Sequence, residues 1–161
     1  MSFLVREMVS EDIEKVQDIA RESWHATYEG IIPRSIQDRF LDAAYATTMM
    51  NTRLQTSKLF VAEVDHKVMG FADFSTLDED GKSELRAIYL YPDQQGKGMG
   101  SALIQKGIEV LKDMREILVE VEKENIVGRN FYEAKGFEVV KEYDENFDGH
   151  TLKTIQLIKN L

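Results

Sequence analysis

Three glycines at alternate positions mark the stretch of this chain best suited to chemistry. Gln95-Gly96-Lys97-Gly98-Met99-Gly100-Ser101 lies between an apolar run, Leu85-Arg86-Ala87-Ile88-Tyr89-Leu90-Tyr91, and a helical pattern from Ala102-Leu103-Ile104 to Leu111. A strand, a glycine turn and a helix start in that order make an anion site. Glycine lets the main chain come close to a ligand, and the first free N–H groups of the helix point at it. A phosphate-bearing ligand is therefore expected. A P-loop needs Gly-x-x-x-x-Gly-Lys-Ser/Thr, and here Tyr91 and Gly98 stand at two of its required positions. A dinucleotide fingerprint needs Gly-x-Gly-x-x-Gly and an acid about 20 residues on. Glu120 or Glu122 could supply that acid, but Ser101 replaces the third glycine.

A third pattern, Gln/Arg-x-x-Gly-x-Gly/Ala, is met by Gln95, Gly98 and Gly100. On it the sequence resembles the GNAT family of N-acetyltransferases. The flanking Tyr-Leu-Tyr-Pro and Ser-Ala-Leu-Ile segments look like the family too. So does Asn125-Ile126-Val127-Gly128-Arg129-Asn130-Phe131-Tyr132-Glu133-Ala134-Lys135-Gly136-Phe137, which departs at Gly128, where alanine is usual. Trp24-His25-Ala26-Thr27-Tyr28-Glu29-Gly30-Ile31-Ile32-Pro33 matches a segment common in small bacterial members.

The resemblance implies an acetyl-CoA-dependent enzyme that moves an acetyl group to a primary amine of a small molecule or peptide by direct attack. The alternative is a non-catalytic acyl-CoA sensor. Main-chain amides of Gln95, Gly96, Lys97, Gly98, Met99, Gly100 and Ser101 would hold the pyrophosphate, with Lys97 adding diffuse attraction or only a solvated charge. The backbone near Ile88, Tyr89 and Leu90 would pair with the pantetheine amides as a pseudo-strand. Asn125 would contact that arm, cap the following helix, or both. Tyr132 would supply a proton or hydrogen bond to the departing thiolate, and Glu84 would take the proton of the amine. Tyr28, Glu29 and Asp73 are candidates for the acceptor side, and Trp24 is read as core.

A thioester is already activated, so most of the rate can come from positioning. No side-chain nucleophile is needed. The chain has no cysteine and no Gly-x-Ser-x-Gly elbow. It offers no metal site either. His25, His66 and His150 are scattered, and Asp144-Glu145-Asn146-Phe147-Asp148-Gly149 imitates half a calcium loop whose twelfth position is Ile155 instead of glutamate.

The 161 residues fit one domain, residues 1–161. The net charge of −9 argues against nucleic acid. It favours a cationic acceptor if it does more than keep the protein in solution. No apolar run approaches the roughly 20 residues a membrane helix needs. With no cysteine and no leader-like start, a cytoplasmic protein is expected. Homodimerisation is compatible with the resemblance, and no pattern in the chain argues for it.

The elements that position these residues follow from periodicity. A strand at Leu4–Arg6 precedes a helix capped by Ser10 that carries Ile13, Val16, Ile19, Ala20 and Trp24 on one stripe. A helical stretch, in one or two pieces, covers 35–54. Strands follow at 59–64 and 68–74 around a short turn, and at 83–91. After the glycine loop comes a helix to about Met114, a strand at 116–122, a helix at 127–135, and closing strands at 137–143 and 152–158. The order is that of the family's α/β (α+β) acyltransferase fold, with a mixed, mostly antiparallel sheet flanked by helices and strands splaying beside the glycine loop.

Overall fold

The computed structural model describes residues 2–161. The chain runs β1 (Leu4–Glu7), α1 (Ile13–Tyr28), α2 (Arg34–Ala44), α3 (Thr47–Thr56), β2 (Ser57–Val64), β3 (Lys67–Ser75) and β4 (Lys82–Leu90). It continues through α4 (Met99–Val110), β5 (Glu116–Glu122), α5 (Ile126–Ala134), β6 (Glu138–Phe147) and β7 (His150–Asn160). No helix among the described residues is long and apolar enough to cross a membrane.

The expected elements are present, and three details refine them. Ser10 does not cap α1. It opens a single 3₁₀ turn, Ser10–Asp12, and the Asp12 carboxylate takes up the Val9 N–H at 2.9 Å. The same carboxylate accepts from both terminal Arg6 guanidinium nitrogens, at 2.8 and 3.0 Å, which ties β1 to the start of α1. The second helical stretch is two helices, broken at Tyr45-Ala46. The calcium-loop look-alike is mostly strand, with the chain reversing in two residues, Asp148 and Gly149. Both have positive φ, as do Asp65 and His66 between β2 and β3, the geometry that two-residue hairpins need.

The seven strands form one sheet in the order β1-β2-β3-β4-β5-β7-β6. Every neighbouring pair is antiparallel except β4 and β5. One face packs under α1, α2 and α3 around Val16, Ile19, Met50 and Phe71. The other packs under α4 around Phe60, Phe74, Leu103, Ile117 and Leu157. Gly107 lets α4 approach closely, since a Cβ there would meet the Phe74 ring at 2.5 Å.

Two irregularities shape the site. β4 and β5 pair only at Lys82↔Glu116, Ser83↔Ile117 and Glu84↔Leu118, and then part. From Leu85 to Leu90 the edge of β4 facing β5 has no strand partner, although its other edge stays on β3. On that other edge the register slips between Phe74↔Leu85 and Asp73↔Ala87, so Arg86 is the extra residue of a β-bulge. Bulges re-aim side chains and often lie beside active sites.

Candidate active site

The gap between the parting strands opens into a cleft of about 780 Å³, roofed by α1 and floored by α4 and α5. Of the residues singled out by sequence, Tyr28, Ile88, Tyr89, Leu90, Gln95, Gly96, Gly98, Gly100, Ser101, Asn125 and Tyr132 line it. Lys97 is exposed on the loop, with its ammonium 3.4 Å from the Gln94 side-chain oxygen. Met99 is 1% exposed and anchors the helix start in the core.

At the phosphate end, Gly98 is the residue before α4 and has φ +90°. Gly96 is also left-handed, at φ +79°. The first main-chain bond of the helix runs from the Ala102 N–H to the Gly98 oxygen, so Met99, Gly100 and Ser101 have no intrahelical partner for their amides. Gly100 lies against Phe131, whose ring a Cβ would meet at 3.0 Å. A row of free amides behind a left-handed glycine suits a diphosphate. The open edge of β4 suits an extended amide-bearing arm.

Asn125 is the N-cap of α5, and its Oδ1 accepts the Gly128 N–H at 3.0 Å. This explains the departure at Gly128. A Cβ at that position would meet the Asn125 carboxamide at 2.7 to 3.1 Å. Tyr132 projects from α5 with its ring edge-on to Phe131 (5.5 Å) and Phe137 (5.4 Å). Loss of solvation, with the nearby Tyr89 phenol, raises its pKa well above that of a free tyrosine. Tyr132 is therefore protonated at any working pH.

Glu84 is the last β4 residue paired with β5, where the gap begins, and it is not among the residues that line the cleft. Burial and then the charge of Glu120 raise its pKa, against the pull of Arg86. The sequence reading did not place Glu120 in the site except as a possible ribose partner. Glu120 lines the cleft from β5, and the Tyr143 hydroxyl on β6 donates to its carboxylate. Glu145 lies near Tyr143 as well. The available signal was alternation. Ile117, Val119 and Val121 are buried under α4, which turns Leu118, Glu120 and Glu122 to the opposite face.

Two acceptor candidates fall elsewhere. Asp73 is 1% exposed, facing Arg53 at 3.4 Å, and does not line the cleft. Glu29 lies on the exposed turn after α1, in a separate shallow hollow with Arg34, Gln37 and His150. Trp24 is core, 7% exposed, stacked on Phe40 at 4.6 Å. His25 pairs with Asp38 at 2.8 Å, holding α1 to α2. No cluster of metal-ligating side chains occurs among the described residues.

A sheet split at one parallel pair, with a glycine-led helix beneath the split, defines a class of acetyl-group transferases, and comparison with known proteins agrees. The profile of the acetyltransferase (GNAT) family matches residues 13–137, and the chain belongs to that family. It is an acetyl-CoA-dependent N-acetyltransferase. Among its relatives is the spermidine N(1)-acetyltransferase of Thermoplasma acidophilum, 29% identical over 147 residues, which span 86% of this chain and 90% of that protein. The uncharacterized N-acetyltransferase YuaI of Bacillus subtilis is 33% identical over 160 residues, 95% of this chain and 90% of that one. The crystal structure of PaiA N-acetyltransferase from Thermoplasma acidophilum in complex with coenzyme A superposes with a TM-score of 0.85 at 26% identity, over the whole of both chains.

Proposed function

We propose that the protein acetylates a primary amine of a small polycation of the polyamine class by direct attack on acetyl-CoA. The observation that carries this reading is the disposition of side chains around the gap. Tyr132 and Glu120 line the cleft on opposite walls, with Glu84 close to Glu120 just outside the lining and Tyr143 and Glu145 behind them. Carboxylates in a partly desolvated cleft attract ammonium groups and resist anionic acceptors. The spermidine-acetylating relative supports the same class.

When bound, acetyl-CoA supplies an activated acyl carbon. The loop Gln95–Ser101 holds its diphosphate, the free edge of β4 at Ile88–Leu90 aligns its arm, and Asn125 steadies that arm from α5. Glu84, its pKa raised, takes a proton from the acceptor's ammonium, and Glu120 holds a second ammonium. As the new N–C bond forms and the C–S bond breaks, the sulfur keeps the bonding pair and meets the Tyr132 O–H. A phenol with so high a pKa does not readily yield its proton to a thiolate of pKa about 8.5. Tyr132 therefore first stabilises the sulfur by a hydrogen bond, and water restores the proton that completes the thiol. Overall the ammonium loses two protons, one through Glu84 and one to water as the amide forms, the sulfur gains one from water, and one proton is released to solvent.

The test is a thiol-release assay with acetyl-CoA against polyamines, diamines, monoamines, amino acids and a peptide. Polyamines are expected to give the highest kcat/KM, and Glu120→Gln to raise their KM. Better turnover of carboxylated acceptors would refute the class. Coenzyme A binding with hydrolysis alone and no acceptor would favour the sensor instead.

A further inference from the structure

Three phenols gather in the cleft from three different elements: Tyr28 at the end of α1, Tyr89 on β4 and Tyr132 on α5. They are close enough that charge on Tyr89 or Tyr132 would oppose ionisation of Tyr28. Only Tyr132 has a part in the scheme above. Tyr89 is committed elsewhere. Its ring packs edge-on against Phe71 at 5.6 Å, and its hydroxyl faces the side of Trp24, whose buried indole N–H has no other partner.

Tyr28 is held differently. Its ring lies 4.7 Å from that of Trp24, which is itself clamped by Phe40 and Phe147. Its hydroxyl faces Asn125 on the opposite wall. The Asn125 oxygen is occupied by Gly128, so the amide N–H₂ is the half left to favour the Tyr28 oxygen, although it is not closed on it as an ordinary hydrogen bond. Burial raises the Tyr28 pKa well above 10, so the phenol keeps its proton. A phenol approached through its oxygen by an amide, with its own O–H free, is a donor waiting for an acceptor.

In a thioester the carbonyl oxygen is two bonds from the sulfur. The group that meets the oxygen and the group that meets the sulfur must be neighbours in different positions, as Tyr28 and Tyr132 are, on α1 and α5. We propose that Tyr28 is a second catalytic tyrosine, whose hydroxyl donates to the thioester carbonyl oxygen and stabilises the charge it gains as the amine adds. The C=O π pair moves onto that oxygen when the N–C bond forms and returns when the C–S bond breaks. The Tyr28 proton is not transferred. The inference rests on the cleft being the acetyl-transfer site.

Tyr28→Phe keeps the ring and its packing on Trp24. It is expected to lower kcat on the order of 100-fold, as for loss of one oxyanion donor, with KM for acetyl-CoA within about twofold. Infrared difference spectra of bound acetyl-CoA carrying ¹³C at the carbonyl supply a readout independent of turnover. The carbonyl band should lie below its solution frequency in the wild-type protein and in Tyr132→Phe, and return towards it in Tyr28→Phe. Substituting 3-fluorotyrosine at position 28, a stronger donor of nearly the same size, should lower the band further. Equal bands in wild type and Tyr28→Phe, or no response to the fluorinated ring, would overturn the role of Tyr28. Failure of the wild-type protein to bind labelled acetyl-CoA would instead remove the reading of the cleft, and the inference with it.

Discussion

Gly98→Ala tests the proposed backbone contribution to phosphate binding. Gly98 has φ +90° and ψ −2°, and the nearest atom to a Cβ there is Phe3 Cζ at 3.9 Å, an ordinary contact. The substitution therefore meets no wall, and its cost is the left-handed backbone itself, roughly 1–2 kcal/mol for an L-residue. That cost can fall in two places. A loop that holds its shape pays in stability, about 2–8 °C in Tm for a domain of this size. A loop that relaxes pays on binding, about 5- to 30-fold in the Kd of coenzyme A. Residues 95–98 are exposed, so relaxation breaks few contacts. The expected result is a weaker Kd with Tm nearly unchanged, read by titration calorimetry and thermal unfolding. Gly149→Ala is the control. It too is left-handed, at φ +83° with open space around it, but it lies in the β6–β7 turn and should cost stability alone. Gly98→Ala with both Kd and Tm unchanged would refute the argument.

The raised pKa of Glu84 moves the acidic limb of the kcat/KM–pH profile upward from where an ordinary glutamate would put it, with activity rising as Glu84 loses its proton. Glu120→Gln removes a like charge, so that limb should move to lower pH, and a fixed limb would exclude the coupling. Gly107→Ala drives a methyl to 2.5 Å from Phe74. Overpacking of about 1–3 kcal/mol against about 1 kcal/mol of helix propensity predicts a net loss in denaturant unfolding, and a gain would contradict the close approach. The Asp12 carboxyl would be raised by its burial alone, but Arg6 and the Val9 N–H hold it below its ordinary value. Its contribution is therefore present above the unfolded-state pKa and lost as pH falls through the lower folded one. Asp12→Asn should cost about 1–3 kcal/mol at neutral pH, with the difference from wild type shrinking in acid.

The cleft position of groups written in consecutive residues was legible from the sequence. Gln95–Ser101 and Asn125–Tyr132 each place their groups within one turn and one helix, so local spacing was enough. Glu120 was not, because its place depends on where β4 and β5 stop pairing, a property of two segments more than 30 residues apart. Asp73 and Glu29 show the converse. Each adjoins a site element in sequence, yet the phase of β3 turns Asp73 towards Arg53 and the end of α1 turns Glu29 out of the cleft. Ser10 had the right residue type for a cap, but Asp12 answers both Arg6 and the Val9 N–H. The length of β6 and β7 was hidden by acidic residues that look like a loop and alternate like a strand.

The parting of β4 and β5 after three residue pairs leaves the sheet unfinished at its centre. An acetyl donor bound along the free edge of β4 as an extra strand would lend part of the protein's cohesion. A ligand held at a hundredfold excess over its Kd adds about 2.7 kcal/mol to the folded state, a large share of what a domain of this size possesses. By that linkage the folded population rises with the concentration of the acetyl donor.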